Sequence, residues 1–309
     1  MSIETTRVHI MNSATPTASE LHRLLRSPEL TFLMEAHDAL SAVIAEESGF
    51  PGLWASGLSI SSSLGYRDAN EASWTQVVEV VERMADVTHI PILVDGDSGF
   101  GNFNNARLAA LKLYQRGASG ICLEDKGFPK LNSFVGDKHP LADIKEFSGR
   151  LRAVKDTVPE HQFCLVARTE ALIAGYDEQE ALSRAHAYAE AGADAILIHS
   201  RKGTADEVLS FARAWKNRLP LIIVPTKYYR TPVDVYRQAS ISTVIWANHA
   251  MRASVRAVGQ VCRRILSEES VAGIEPDVAT LEEVFKLMRY DELANAEGRY
   301  LPGTPSASA

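Results

Sequence analysis

The chain has 309 residues, 46% of them hydrophobic, enough to bury the core of one large barrel or of two smaller domains. Its net charge is −7 and no long basic face runs through it, which argues against a nucleic-acid partner. No apolar run reaches the length of a membrane span, no basic-then-apolar leader opens the chain, and Cys122, Cys164 and Cys262 lie far apart without disulfide or zinc spacing, so a cytoplasmic protein in a reducing compartment is expected.

Residues 1–16 are polar and irregular. Thr17-Ala18-Ser19-Glu20 reads as a capping box, and Leu21, Leu24 and Leu25 follow on one helical face, predicting a short helix that closes the bottom of the body or packs on a neighbour. From Glu29 onward a repeated grammar begins. Short apolar runs at 31–36, 52–56, 90–94, 120–123, 163–167, 193–198, 219–224 and 242–247 alternate with segments of helical spacing, such as Val77/Val80/Val81/Met84. Eight such pairs predict an α/β fold of the (β/α)8 TIM-type barrel class. A doubly wound open sheet would prefer a glycine-rich fingerprint after its first strand, and His37-Asp38-Ala39-Leu40 has none. A helix at 251–265, a connector at 268–277 and a final amphipathic helix at 281–293 complete the pattern. The expected organisation is a single domain: an N-terminal arm and helix (1–28), the barrel (29–268), a C-terminal helical extension (269–302) and a tail (303–309).

Polar residues collect where each apolar run ends: His37, Ser56-Gly57, Asp95 and Asp97, Glu124-Asp125-Lys126, Arg168 with Glu170, His199-Ser200, Thr226-Lys227 and Asn248-His249. Taken singly each is an ordinary cap or loop residue. In a barrel the C-terminal strand ends converge on one face, so eight together predict one pocket. In Asp95-Gly96-Asp97-Ser98-Gly99 the glycines allow the chain to bend and bring both acids to that pocket. Asp95, Asp97 and Glu124 would repel one another without a cation, and oxygen ligands call for Mg²⁺; separate salt bridges are the plainer alternative. No His/Cys cluster points to zinc. Arg168 and His199 offer donors to an anionic oxygen, and Ser56-Gly57-Leu58 offers hydroxyl and backbone N–H groups to a carboxylate. A small, doubly anionic substrate fits this set. The segment Gly127-Phe128-Pro129-Lys130-Leu131-Asn132-Ser133-Phe134-Val135-Gly136 has glycine at both ends and reads equally as a lid able to exclude water or as an ordinary mobile surface loop.

The ordered segments Met34-Glu35-Ala36-His37, Trp54-Ala55-Ser56-Gly57-Leu58-Ser59, Leu64 to Glu71, Asp95 to Asn102, Glu124 to Lys130, Val166-Ala167-Arg168, Ile198-His199-Ser200 and Pro225-Thr226-Lys227-Tyr228-Tyr229 together resemble the phosphoenolpyruvate mutase branch of the isocitrate lyase superfamily, over about residues 30–302. That resemblance implies an isomerase that interconverts phosphoenolpyruvate and phosphonopyruvate with Mg²⁺, the first step of phosphonate biosynthesis. It also implies a barrel whose eighth helix is exchanged between subunits of a homodimer or homotetramer. By motif position it implies Asp95 as the direct metal ligand, with Asp97 and Glu124 acting through water and Asp68 nearby. Ser56, Gly57 and Leu58 would hold the substrate carboxylate, and Arg168 and His199, with Ser200 beside them, the pyruvyl and phosphoryl oxygens. Asn132 and Ser133 would descend with the lid, which Lys130 helps to close. Gly96, Ser98, Phe100 and Thr169 depart conservatively from the family pattern, and Gly127 is expected to loosen the lid. A phosphonopyruvate hydrolase resembles a threonine-bearing lid without the asparagine, and a carbon–carbon lyase a Lys-Cys-Gly-His lid; Lys130-Leu131-Asn132-Ser133 favours the mutase. A non-catalytic barrel would be expected to lose one of Asp95, Glu124, Arg168 or His199, and all four are present.

Overall fold

The computed structural model describes residues 16–136, 140–159 and 163–301. Eight parallel strands close a barrel in sequence order: β1 (Thr31–Ala36), β2 (Leu53–Ala55), β3 (Ile92–Asp95), β4 (Gly120–Glu124), β5 (Cys164–Thr169), β6 (Ala195–Ile198), β7 (Leu221–Ile223) and β8 (Thr243–Trp246), with β8 pairing back onto β1. The helices are α1 (Pro16–Leu25), α2 (Ala39–Glu47), α3 (Gly57–Ser63), α4 (Trp74–Val87), α5 (Phe103–Gln115), α6 (Ile144–Thr157), α7 (Glu178–Glu190), α8 (Asp206–Trp215), α9 (Val233–Gln238), α10 (His249–Glu268), α11 (Leu281–Leu287) and α12 (Tyr290–Tyr300). The predicted (β/α)8 class is the one observed. Strands buried on both faces read as apolar runs, and for that reason they were visible in the sequence.

Alternate strand residues feed two cores. Leu33, Trp54, Leu93, Cys122, Val166, Leu197, Ile222 and Ile245 fill the barrel, while Leu53, Val94, Ile121, Leu165, Ile196 and Val244 pack outward with the helices. Leu21 and Leu25 of α1 join the interior cluster and stop the N-terminal end of the barrel. Leu21→Ala should therefore cost about 2–5 kcal/mol, as for other buried leucines, read as a lower urea midpoint at unchanged slope. No loss of stability would show that this plug carries none of the core.

Three boundaries differ from expectation. α1 starts at Pro16, ahead of Thr17, with proline in the first-turn position that tolerates a missing N–H. The short helix α3 was not anticipated; Ser56 caps it by accepting from Ser59 N at 3.4 Å. The final helix is broken in two. Thr280 and Glu283 form a capping box that starts α11, and Arg289 then takes a left-handed conformation (φ 55°) before α12. That geometry costs a non-glycine residue roughly 1–2 kcal/mol, and the Phe285–Tyr290 ring pair at 4.8 Å spans the corner.

The chain divides into two compact units, residues 1–251 and 252–309. In the second, Arg264 donates to Glu268, Asp277 and the Gly273 carbonyl. The expected arm (1–15) and tail (303–309) lie outside the described residues. Among the described residues no helix is long and apolar enough to cross a membrane.

Candidate active site

The C-terminal strand ends surround one cavity of about 50 Å³, lined among others by Ser56, Leu58, Asp68, Asp95, Glu124, Lys130, Asn132, Arg168 and His199. Backbone geometry brings the acids together. β3 ends at Asp95, and Asp97 turns into the left-handed region (φ 49°), so that its own N–H donates to Asp95 Oδ1 at 3.3 Å. Gly57 N–H donates to Asp95 Oδ2 at 3.3 Å, and a Cβ at this position would stand 3.0 Å from Asp95 and 3.1 Å from Asp97. Only glycine lets the β2–α3 turn approach both carboxylates this closely.

The β4–β5 register sets Glu124 beside Arg168, whose Nε lies 3.3 Å from Glu124 Oε2. Glu170, one residue past β5, is fully buried and collects four partners. Its Oε1 meets Arg168 Nε at 2.6 Å and His199 Nδ1 at 2.8 Å, and its Oε2 meets Ser133 Oγ at 2.6 Å and Lys126 Nζ at 3.0 Å. Behind it, buried Asp125 accepts from Glu170 N, Tyr188 and Arg184.

The lid lies across the cavity. Lys130 Nζ reaches Asp97 at 2.5 Å and Asp68 at 2.8 Å, and its backbone N–H donates to Asn70 Oδ1 at 2.6 Å. Asn132 Nδ2 donates to Asp68 Oδ2 at 2.6 Å, and Asn132 Oδ1 accepts from Phe134 N. Phe134 packs edge-on to His199 at 5.5 Å and lies under Lys227 Nζ at 4.8 Å. The base of the loop is pinned where Gly127 N donates to the Pro140 carbonyl at 2.8 Å, so Gly127 is held in place despite its freedom.

Burial dominates the electrostatics. It raises Asp95 and pushes Asp97 up to about 7, against the pull of Lys130 in both cases. At Asp68 burial acts upward too, but Lys130 and Asn132 outweigh it and hold the carboxyl below its usual range. Glu170 likewise stays far below that range, because Arg168, His199 and Lys126 overcome its desolvation. Burial and then Arg168 lower His199, favouring the neutral ring.

The acids fit a hard divalent cation. Glu124 Oε1 is buried and receives no hydrogen bond, and the nearest cation to it by ion-pair distance is Lys126 at 3.8 Å. Among the described residues no three His, Cys, Asp or Glu side chains converge as a direct ligand set. Carboxylates spaced this way suit an ion that keeps part of its water shell, as Mg²⁺ does, and they lack the nitrogen and sulfur donors zinc prefers.

Of the residues predicted from sequence, Gly57 and Asp97 stand just behind the cavity wall. Ser200 lies outside the lining, its hydroxyl donating to Glu207 at 2.6 Å, because β6 ends two residues earlier and the chain turns it toward α8. His37 is also drawn away. Its Nδ1 bonds buried Glu35 at 2.6 Å, and the other Glu35 oxygen accepts from Met251 N at 3.1 Å. The Glu35 bond raises the His37 pKa. A raised folded value means the pair stabilises below the unfolded value of about 6.5 and stops doing so as pH rises through the folded one. His37→Gln should thus lose more stability at about pH 6 than at about pH 9 in urea unfolding; an equal loss at both would refute the linkage. Sequence reasoning assigned no role to Asn70, Lys126, Phe134 or Glu170. Asn70 and Phe134 lay inside quoted segments, and Lys126 and Glu170 were noted as strand ends, so position was legible and partnership was not.

A parallel barrel carrying carboxylates, an arginine and a histidine at its strand ends under a closing loop defines a class of barrel enzymes acting on small molecules. A family model described as phosphoenolpyruvate phosphomutase matches residues 21–266, and the chain belongs to that family. It is 52% identical over 290 residues to the phosphoenolpyruvate phosphomutase of Tetrahymena pyriformis, covering 94% of this chain and 97% of that one. Among solved structures, a phosphoenolpyruvate phosphomutase from Streptomyces platensis subsp. rosaceus superposes with TM-score 0.91 at 39% identity, covering 93% and 100% of the two chains. A phosphonopyruvate hydrolase in complex with oxalate and Mg²⁺ superposes at 0.87 with 38% identity over 93% and 100%.

Proposed function

We propose that the protein is a phosphoenolpyruvate mutase, interconverting phosphoenolpyruvate and 3-phosphonopyruvate by moving the phosphoryl group between the enol oxygen and the methylene carbon. The observation that carries this reading is the lid: Asn132 is drawn over the cavity by Asp68 and stands with Arg168 and His199 among the lining residues. Asn132 spends one amide hydrogen on Asp68 and retains a second for a phosphoryl oxygen. His199 Nε2 is buried without a partner, a position a substrate oxygen would fill. Ser56 and the Leu58 amide line the cavity and would hold the substrate carboxylate, with the Gly57 N–H turning to it from its long 3.3 Å contact with Asp95. Asp95, with Asp97 and Glu124 through water, would hold Mg²⁺, whose charge offsets that of the substrate oxygens.

The chain's own residues carry the remaining work. Arg168, fixed by Glu170 and Glu124, presents its other guanidinium hydrogens to the phosphoryl group as the bond to oxygen loosens. Lys130 closes the lid on Asp68 and Asp97, so that water does not reach the transferring phosphoryl before carbon recaptures it. No protein nucleophile takes part.

Incubation with phosphonopyruvate and Mg²⁺, followed by phosphorus NMR, tests this directly. Phosphoenolpyruvate is the expected product. Free phosphate alone would make the protein a hydrolase, and no change would sink both.

The remaining features belong to the same proposal: one barrel domain with a helical extension, acting in the cytoplasm, with no nucleic-acid or membrane partner. None of the twenty residues of α10 is buried, and Val255, Val258, Leu266, Leu281 and Phe285 are exposed. Helices exchanged between copies in a homodimer or homotetramer would cover such surface.

A further inference from the structure

Ser133 was expected to touch substrate, but its hydroxyl has no capacity left. A hydroxyl offers one hydrogen and two lone pairs. Ser133 Oγ donates to Glu170 Oε2 at 2.6 Å and accepts from Lys126 Nζ at 2.5 Å and Arg168 Nη2 at 3.1 Å. Lys126 is equally committed: its three hydrogens go to Ser133, to the Leu131 carbonyl at 3.0 Å and to Glu170 at 3.0 Å. Two of those three acceptors are on the lid. The carboxylate of Glu170 accepts from these two residues and from Arg168 Nε at 2.6 Å. All three residues are almost wholly buried, so water supplies no substitute partners.

We propose that Lys126, Ser133 and Glu170 are the latch of the lid, positioning residues that couple its closure to the placement of Arg168 and His199, and that Ser133 does not bind substrate. When the lid lifts, Ser133 and the Leu131 carbonyl leave together. Lys126 then loses two partners, and Arg168 loses the hydroxyl that holds its Nη2. Closure thus orders the guanidinium that grips the phosphoryl group, and an aligned guanidinium favours closure in return. Lys130 and Asn132 bind Asp68 and Asn70 while Leu131 and Ser133 bind Lys126, so the lid is held by two separate sets of partners. On the mutase reading, a failed latch admits water. Water attacks phosphorus, the P–C bond breaks with its electron pair on the methylene carbon, and that carbon takes a proton, leaving pyruvate and phosphate.

The test uses Ser133→Ala, Ser133→Thr and the full-length wild-type protein. The first readout is hydrogen exchange at the Phe134 and Val135 amides, both bonded within the closed lid. It needs neither substrate nor metal, and so stands whether or not the mutase reading does. Ser133→Ala should exchange there roughly tenfold faster, the scale of one lost charge-assisted bond, while Ser133→Thr keeps the hydroxyl and the protection. The second readout is kinetic: Ser133→Ala should raise KM for phosphonopyruvate more than it lowers kcat, and increase the phosphate released per phosphoenolpyruvate formed. Unchanged exchange in Ser133→Ala overturns the latch, as does a fall in kcat alone with full protection, which would return Ser133 to the substrate. Lys126→Met is the second variant, expected to free the same amides; protection there at the wild-type level also refutes the proposal. A wild-type protein that makes no phosphoenolpyruvate would fail the mutase reading, and the exchange readout would still decide the latch.

Discussion

Asp95→Asn is expected to lower kcat/KM by about 10³-fold or more while leaving the fold as stable as before. The asparagine amide has the shape of the carboxyl, and its single oxygen can replace one of the two acceptors that meet Gly57 N–H and Asp97 N–H, so only one long contact of 3.3 Å is given up. Its removal of charge is what matters. Burial already disfavours the Asp95 carboxylate, so neutralising it carries no folding penalty, but it takes away the anion that would draw Mg²⁺ into the site. Losing several kcal/mol of charge stabilisation corresponds to a rate change of this order. Steady-state kinetics across a Mg²⁺ titration, with thermal melting alongside, separate the two effects. Activity at the wild-type level would remove Asp95 from the metal site.

Arg168→Lys should cost about 10²–10³-fold in kcat, the loss typical of one donor aimed at developing charge. Lysine keeps the charge but not the planar fork. Arg168 spends Nε on Glu170 at 2.6 Å and one Nη on Ser133 and His199 while keeping further hydrogens for substrate, and a single ammonium cannot meet these directions together. Lysine is the informative replacement, because a neutral residue would leave Glu124 and Glu170 buried with one fewer cation, at about 3–5 kcal/mol. A fall in Tm without a fall in kcat would make the role structural.

Both residues are visible in the sequence, for a reason specific to barrels: charge at the end of an apolar run must emerge at the C-terminal rim, where all eight ends meet. Asp68, Lys130 and Asn132 also met where expected, though they come from loops whose paths periodicity does not describe; a resemblance in motif order placed them. Partnership was harder. Glu170 serves Arg168 two residues away, Ser133 in the lid and His199 just past the next strand; the β5–β6 register sets the last of these and the folded loop the second. Ser200 misled because it directly follows His199, which faces the cavity, yet β6 has already ended at Ile198 and the chain turns the serine hydroxyl toward Glu207. The break at Arg289 was invisible because the apolar spacing continues through it, and a single left-handed residue leaves no mark on that spacing.

The base of the lid has a consequence for recombination between relatives. Lys126 pairs with Leu141 in an antiparallel bridge, Gly127 N meets the Pro140 carbonyl, and Ala142 N meets the Asp125 carbonyl at 2.8 Å. These bonds are made by backbone, so they do not depend on which side chains lie between them. The junction thus asks of the segment between only a backbone N–H at residue 127 and a carbonyl at residue 140. Product choice can then drift by exchange of one short segment while the barrel beneath keeps its chemistry.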